Sequence, residues 1–339
     1  MEAAQNSADD ERPSPTVPSF QIKFLDVEAE AAQRFGVVIG QYIQEISRYI
    51  NLERLDGVTI ANDYPAALRQ LDRGFTASHE LTPTASELVT GVAMTPSVRR
   101  DGVVKAHMVL TAGVIFALED EQHEFWKDAL YVLAHECAHV EALKAIDTAF
   151  PNRVLQHVFT DYIEVIYKQL NESCWDEYAA SRLSAHFGSK QAAIYEGTFV
   201  SALKETRERA NDHIRRYRVH NDHQAVLTDV TREYFGLLRF ASYLLGHLHG
   251  LGLGATEDDA PVAHAALKDH WFAPHFIRLE QIFVTLWENF GKWGSPDDFD
   301  VIAGLGMEIL AEGGVHLTPL PEGGVYVHVP FSSDTLPMT

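Results

Sequence analysis

The stretch LYVLAHECAHVEALKAI, residues 130–146, is the most informative part of this sequence. Its apolar residues recur at helical spacing, and the pattern predicts a buried helix over residues 121–149. His135 and His139 are four residues apart, so on a helix their imidazoles lie on one face, one turn apart. Two imidazoles at that spacing can bind the same tetrahedral metal ion.

Glu136 completes the motif HExxH. On a helix its carboxylate projects beside the two imidazoles, where it reaches a metal-bound water without binding the metal itself. The alternative is a helix at the surface or at the edge of the core that carries two histidines by chance. A third ligand would separate the two interpretations, because catalytic zinc takes three protein ligands and leaves one position for water.

The third ligand is not a histidine at the spacing HExxHxxGxxH, because residues 142–145 read Ala-Leu-Lys-Ala. A site with three histidines is therefore disfavoured. A carboxylate on a following helix, predicted over residues 153–186, is the alternative. Its segment ESCWDEYAASRL, residues 172–183, offers Glu172, Asp176 and Glu177.

HExxH on one helix and a glutamate on the next resembles the gluzincin metallopeptidases of the zincin-like clan. The segment EYAAS, residues 177–181, looks like the pattern around their glutamate ligand, in which small residues let the two helices approach closely. The segment NESCWD, residues 171–176, also fits the N-E-x-x-x-D spelling of the thermolysin-like members. Glu177 is the preferred ligand because alanines follow it, and Glu172 is the alternative. The resemblance covers about a quarter of the chain and identifies no particular family within the group.

The resemblance implies one Zn²⁺ ion held by His135, His139 and Glu177. It also implies hydrolysis of a peptide bond by a zinc-activated water, with Glu136 as the general base. A peptide or protein would then be the substrate. The competing hypothesis is a zinc-binding regulatory or interaction protein that keeps the scaffold without proteolysis.

Neighbours of these segments are candidates for supporting roles. Ser181 stands where such proteins often have an aspartate that orients a histidine ligand. Arg182 binds either a substrate carboxylate or an acidic neighbour such as Asp176, and the pairing is favoured. The residues whose type suits them to stabilise an oxyanion are Tyr178, Tyr195, His220 and His223.

The periodicity along the chain predicts an α+β fold that is predominantly helical. β-branched, alternating segments predict a short strand at 57–61 and two or three strands within 87–118, with a turn at 99–102. These strands would form a small sheet packed on the HExxH helix. Residues 103–118 either offer an edge to which an extended peptide adds or form an ordinary strand. Two alternating runs in 314–330 predict a terminal β-hairpin.

Three regions follow from these patterns. Residues 1–18 are rich in Ser, Pro and acidic residues and predict a disordered tail. Residues 19–189 are the predicted zincin-like metallopeptidase core. Residues 190–339 are a predicted helical region with the hairpin, either integrated with the core or a second lobe.

The composition narrows the classes of partner. The chain of 339 residues has 46% hydrophobic residues and a formal net charge of −21, which weighs against nucleic acid and membranes as partners. The N-terminal residues have no apolar segment typical of a secretory signal, so a cytoplasmic location is expected. Cys137 and Cys174 are the two cysteines and are expected to be buried core residues.

Overall fold

A mixed sheet is built from the first third of the chain. The computed structural model describes residues 12–77, 79–83, 91–188, 190–321 and 323–336. The strands of the sheet are β1 (Gln21–Leu25), β2 (Leu55–Ala61), β3 (Ala93–Met94), β4 (Ser97–Arg100) and β5 (Val103–Thr111). β1, β2 and β5 are parallel neighbours, whereas β3 and β4 pair antiparallel with the other side of β5.

Helices dominate the rest of the described chain, so the predicted α+β, predominantly helical class is confirmed. They are α1 (Ala29–Ile46), α2 (Tyr64–Gln70), α3 (Ala112–Ile115), α4 (Trp126–Ala149), α5 (Tyr162–Ser184), α6 (Gln191–His220), α7 (His223–Gly250), α8 (Pro261–Leu267), α9 (Ala273–Glu288) and α10 (Asp300–Glu312). A separate antiparallel pair, β6 (His316–Pro319) and β7 (Val325–His328), forms the hairpin predicted at the C-terminal end. In the part of the chain that the structure describes, no helix is long and apolar enough to cross a membrane.

The strand order decides between the two alternatives for residues 103–118. β5 lies between β2 on one side and β3 and β4 on the other, so residues 103–111 are an interior strand and do not offer an edge to a peptide. Among the described residues, this edge of the sheet is formed by β3 and its continuation β4. The predicted turn joins β4 to β5 through Asp101 and Gly102, whose φ angles of 50° and 81° match a type I′ hairpin turn.

α4 packs on one face of this sheet. Cys137 of α4 is fully buried, 4.0 Å from the sulfur of Met108 on β5. The same apolar cluster includes Ile39 of α1 and Val58 of β2. The HExxH helix is therefore anchored along its length by the sheet, which fixes the direction in which its opposite face points.

The connection between α4 and α5 is longer than the sequence predicts. α4 ends at Ala149 because Pro151 disfavours helical backbone at the preceding residue. α5 begins at Tyr162 rather than near residue 153, where Asp161 caps it by accepting a hydrogen bond from the Glu164 amide. The residues between form a loop that includes left-handed Asn152 and Leu155.

α5 and α7 pack closely together, so the predicted boundary at residue 189 does not separate two cores. A Cβ at Gly246 would lie 2.3 Å from the carbonyl oxygen of Tyr178, and one at Gly250 would lie 2.3 Å from that of Arg182. A single apolar cluster extends from Ala142 of α4 through α5, α6 and α7 to the C-terminal hairpin. The helical region is integrated with the part that carries the HExxH motif.

Part of the predicted tail packs against the fold. The Thr16 hydroxyl donates to the Ser47 carbonyl at 2.8 Å, and its oxygen accepts a hydrogen bond from the Leu52 amide at 3.0 Å. Val17 contacts the apolar cluster beneath the sheet. Residues 12–18 therefore form an extended segment beside the end of α1, while residues 1–11 lie outside the described residues.

Candidate metal centre

Two helices bring three potential ligands together. His135 and His139 occupy one face of α4, and Glu177 faces them from α5. One nitrogen of each imidazole and one oxygen of the Glu177 carboxylate all lie within 4.8 Å of one another. The Glu177 Oε2 atom is 3.4 Å from His135 Nε2 and 3.7 Å from His139 Nε2.

Small side chains allow this approach. Ala138, between the two histidines on α4, and Ala180, on α5, are both fully buried in one apolar cluster. Ala179 is also fully buried, on the side of α5 that packs against the remaining helices. The alanines that follow Glu177 in the sequence therefore lie in the contacts that hold α5 close to its neighbours.

The donor set fits a zinc ion. Two imidazole nitrogens and one carboxylate oxygen are typical ligands of catalytic zinc. Glu177 Oε2 is buried and has no hydrogen-bond partner among the described residues, although it is the atom nearest to both Nε2 atoms. Buried carboxylate oxygens normally have a partner, and a cation between the three residues would supply one. Over the described part of the chain, this is the one cluster with metal-ligand geometry.

The electrostatics of the cluster favour a cation. Burial raises the pKa of Glu177, but the adjacent imidazoles of His135 and His139 outweigh it and lower the pKa to about 2. Burial lowers the pKa of His139, but the carboxylates of Asp176 and Glu177 outweigh it and raise the pKa to about 10. Both shifts arise because carboxylates and imidazoles crowd together, and a bound metal ion would take the place of the protons that the imidazoles hold.

Asp176 lies beside one of the histidines. Its Oδ2 atom lies 3.1 Å from His139 Nδ1, the ring nitrogen that faces away from Glu177. A carboxylate at that position selects the tautomer whose Nε2 lone pair points at the metal. The sequence interpretation considered Asp176 only as a ligand candidate or as a partner for Arg182. The N-E-x-x-x-D spelling in which it stands was the available signal.

Glu136 lies at the wall of the same site and is held by the edge of the sheet. Its carboxylate accepts a 2.6 Å hydrogen bond from the Thr95 hydroxyl, and burial raises its pKa above the usual range. Thr95 lies between β3 and β4, at the point where Pro96 follows. The sequence offered no signal for this residue beyond its place in a strand-like segment.

Tyr243 of α7 is a further residue of the site that sequence reasoning missed. Its ring stacks against the His135 imidazole with centroids 5.9 Å apart, and its hydroxyl interacts with the Glu177 carboxylate. Burial raises the pKa of Tyr243 well above its ordinary value, so the hydroxyl keeps its proton at neutral pH. Tyr243 is about 65 residues downstream of Glu177, and nothing local marks it.

Two clefts meet at this centre. The metal cleft, about 540 Å³, lies in front of His135, Glu136 and Glu177 and is bordered by residues 91–95 and by Tyr243. The α4–α5 cleft, about 670 Å³, extends from His139 between α4 and α5. Thr95, His139 and Asp176 line both clefts.

Most of the supporting residues proposed from sequence lie away from the metal cleft. Glu172, the alternative ligand, has a side chain that is 62% exposed and pairs with Lys168 at 3.0 Å. The Tyr178 hydroxyl is 2.9 Å from His249 Nδ1 and 2.5 Å from the Arg182 guanidinium. The guanidinium also lies 4.3 Å above the Trp287 ring, so its observed partners are aromatic rather than Asp176.

Of the four remaining candidates, Tyr195 lines the metal cleft and the other three do not. Ser181 is fully buried, beside the tyrosine hydroxyls of Tyr131 and Tyr195, and does not face His139. Tyr195 lines the metal cleft, with its hydroxyl 3.0 Å from that of Tyr131. His220 and His223 lie at the turn between α6 and α7, outside both clefts.

Comparison with protein-family models, with curated proteins and with solved structures finds no match to this chain. The functional argument therefore depends on the geometry of the centre.

Proposed function

We propose that the protein is a zinc-dependent metallopeptidase with a zincin-like core. The observation that carries the proposal is the convergence of His135, His139 and Glu177 beside the buried carboxylate of Glu136, at the wall of an open cleft. A zinc ion held by the three ligands would supply a water of lowered pKa and polarise a substrate carbonyl. A single Zn²⁺ ion, a peptide or protein substrate and a cytoplasmic location belong to the same proposal.

Glu136 is the general base in this proposal. Thr95 donates to one of its oxygens, which fixes the orientation of the carboxylate in the metal cleft. A carboxylate held at the wall of the cleft beside the metal ligands is placed to take a proton from the water and pass it to the leaving amine. Tyr243 replaces the earlier oxyanion candidates, because its protonated hydroxyl borders the cleft next to His135.

The edge strand gives a substrate peptide a place to bind. The Thr111 amide donates to the Val92 carbonyl, and the His107 amide donates to the Pro96 carbonyl. In an antiparallel pair, alternate residues direct their backbone groups away from the partner strand, so those of Ala93 and Thr95 face away from β5. Both residues line the metal cleft. A peptide that pairs with them would pass directly in front of the metal ligands.

The test is peptide hydrolysis by purified protein that has been loaded with zinc. We expect cleavage of a mixed peptide library, loss of cleavage with a zinc chelator, and recovery when zinc is restored. Glu136→Gln should lower kcat by about 10²–10⁴-fold while one zinc per chain is retained. The matched control is Glu124→Gln, which changes an exposed glutamate just before α4. Undiminished hydrolysis by Glu136→Gln, or a wild-type protein that binds no zinc, would rule out the mechanism.

A further inference from the structure

The α4–α5 cleft has no role in the chemistry described above, yet it opens directly from the metal centre. Its volume of about 670 Å³ is larger than that of the metal cleft, and it is of the size that ligand-binding pockets normally have. It begins at Thr95, His139 and Asp176 and extends along α4 as far as Phe150. From His139 to Phe150 the helix rises roughly 16 Å, which corresponds to about five residues of an extended peptide.

The walls of this cleft are apolar. Ile146 and Phe150 of the α4 side face Ile163, Tyr167 and Trp175 of α5 across it. Trp175 is 3% exposed, and its indole N–H has no hydrogen-bond partner among the described residues. Apolar walls favour a large aliphatic or aromatic side chain, because such a group gains most from leaving water.

The polar residues of the same cleft are mainly acidic. The carboxylates that line it are those of Asp161, Glu164, Glu172, Asp176, Asp297 and Asp300. Three cationic side chains, Arg73, Arg153 and Lys168, leave a formal charge of 3 − 6 = −3. Lys168 is already paired with Glu172 at 3.0 Å, so its charge is partly neutralised. The excess of carboxylates favours a cationic group on whatever enters and disfavours an acidic one.

We propose that the α4–α5 cleft binds the part of a peptide substrate next to the scissile bond, and that it selects a bulky apolar residue accompanied by lysine or arginine. This inference rests on the proposed peptidase function and names its substrate class. A peptide paired with Ala93 and Thr95 continues past His139 into this cleft, so the same chain occupies both clefts.

The test uses blocked decapeptides with Leu, Phe, Ser or Asp at the centre and either two Lys or two Glu beside it. We expect the zinc-loaded protein to cleave the Leu/Lys and Phe/Lys peptides with a kcat/KM at least about tenfold above that for the Ser/Lys peptide. Peptides with two Glu should be the poorest substrates of each series.

Two variants connect this preference to the cleft. Ile163→Trp fills the apolar part and should reduce the preference for Leu and Phe over Ser by about tenfold. Asp297→Lys reverses a charge at the rim and should reduce the preference for Lys over Glu. The matched controls are Ile277→Trp and Asp258→Lys, which change exposed residues outside both clefts and should leave both ratios unaltered.

Binding of the same peptides to zinc-loaded Glu136→Gln protein, followed by fluorescence polarisation, separates the two proposals. Cleavage with ratios that neither cleft variant changes would overturn the cleft assignment and leave the peptidase intact. Selective binding of the Leu/Lys and Phe/Lys peptides by a protein that cleaves nothing would overturn the peptidase and retain the cleft assignment. If neither cleavage nor selective binding occurs, both proposals fail.

Discussion

The candidate metal centre and the face of the sheet opposite α4 each contain a largely buried histidine next to a carboxylate. On the sheet, His107 Nδ1 is 2.9 Å from Asp56 Oδ2, and His107 Nε2 is 2.9 Å from the Thr59 hydroxyl. Arg100 pairs with the same aspartate through two contacts of 3.1 Å. The three side chains Thr59, His107 and Asp56 are ordered like those of a hydrolase with a hydroxyl nucleophile.

The two regions differ in whether their buried polar atoms all have hydrogen-bond partners. Both ring nitrogens of His107 have a hydrogen-bond partner, and neither His107 nor Thr59 lines either cleft. At the metal centre the Glu177 Oε2 atom lacks a hydrogen-bond partner in the described chain and faces two Nε2 atoms at the wall of a cleft. A complete network stabilises a fold, whereas an incomplete one beside a cavity is prepared for a ligand.

The largest expected effect distinguishes the proposed zinc ligand Glu177 from Glu172, which we expect not to bind zinc. Glu177→Ala should lower zinc affinity by more than about 100-fold, which is the upper range for residues that merely support a ligand. Glu172→Ala removes an exposed glutamate of the same helix and should leave zinc affinity unchanged. Competition with a chromophoric chelator measures both. Equal losses in the two variants would contradict the assignment of Glu177.

The sheet network should affect stability without affecting zinc. Asp56→Ala removes the shared partner of Arg100 and His107, both largely buried, and should lower the free energy of unfolding by about 2–3 kcal/mol. Urea denaturation measures this loss, and metal analysis should still find one zinc per chain. If Asp56→Ala instead lost its zinc with little change in stability, the division between the two regions would be wrong.

Asp176→Asn tests a residue that supports the metal centre without binding the ion. We expect zinc affinity to fall about 10–100-fold, because the amide no longer stabilises the required tautomer of His139. Stability of the metal-free protein should change little, since the Asp176 side chain is 50% exposed. The measurement is the same chelator competition, with Asp258→Asn as the control. An unchanged affinity would show that the contact does not orient His139.

The smallest expected effects come from removing one threonine hydroxyl in each region. Thr95→Val and Thr59→Val each remove one hydroxyl and its hydrogen bonding, and should each lower the free energy of unfolding by about 1 kcal/mol. Only Thr95→Val should also lower kcat for peptide hydrolysis, by up to about tenfold, because it releases the Glu136 carboxylate. A decrease in kcat with Thr59→Val would show that the sheet network takes part in the chemistry.

Features that depend on local spacing could be predicted from the sequence. The HExxH helix, the Asp101–Gly102 turn and the C-terminal hairpin all follow from patterns within a few residues, and the structure contains them. The start of α5 was predicted about ten residues too early, because residues 153–161 are compatible with a helix in composition. Their loop conformation depends on the Asp161 cap and on the surrounding packing.

Residues contributed by distant segments could not be predicted. Thr95 reaches Glu136 because β3 and β4 pair along β5, and Tyr243 reaches His135 because Gly246 allows α7 to approach α5. No short sequence pattern indicates either of these two contacts. Whether residues 103–118 lie at an edge or inside the sheet was left open for the same reason, since strand order depends on pairings between distant residues.

The sequence by itself determined that His135, Glu136 and His139 share a helix, because 3.6 residues per turn place positions four apart on one face. Only the tertiary structure distinguishes the positions of Glu177 and Glu172, because both lie on α5 and the packing of α5 against α4 turns Glu177 towards the histidines and leaves Glu172 exposed. The two clefts, the orienting contact of Asp176 and the open edge at Ala93 likewise result from contacts between elements. Such contacts follow from how whole helix and strand faces exclude water together, which no short segment of sequence encodes alone.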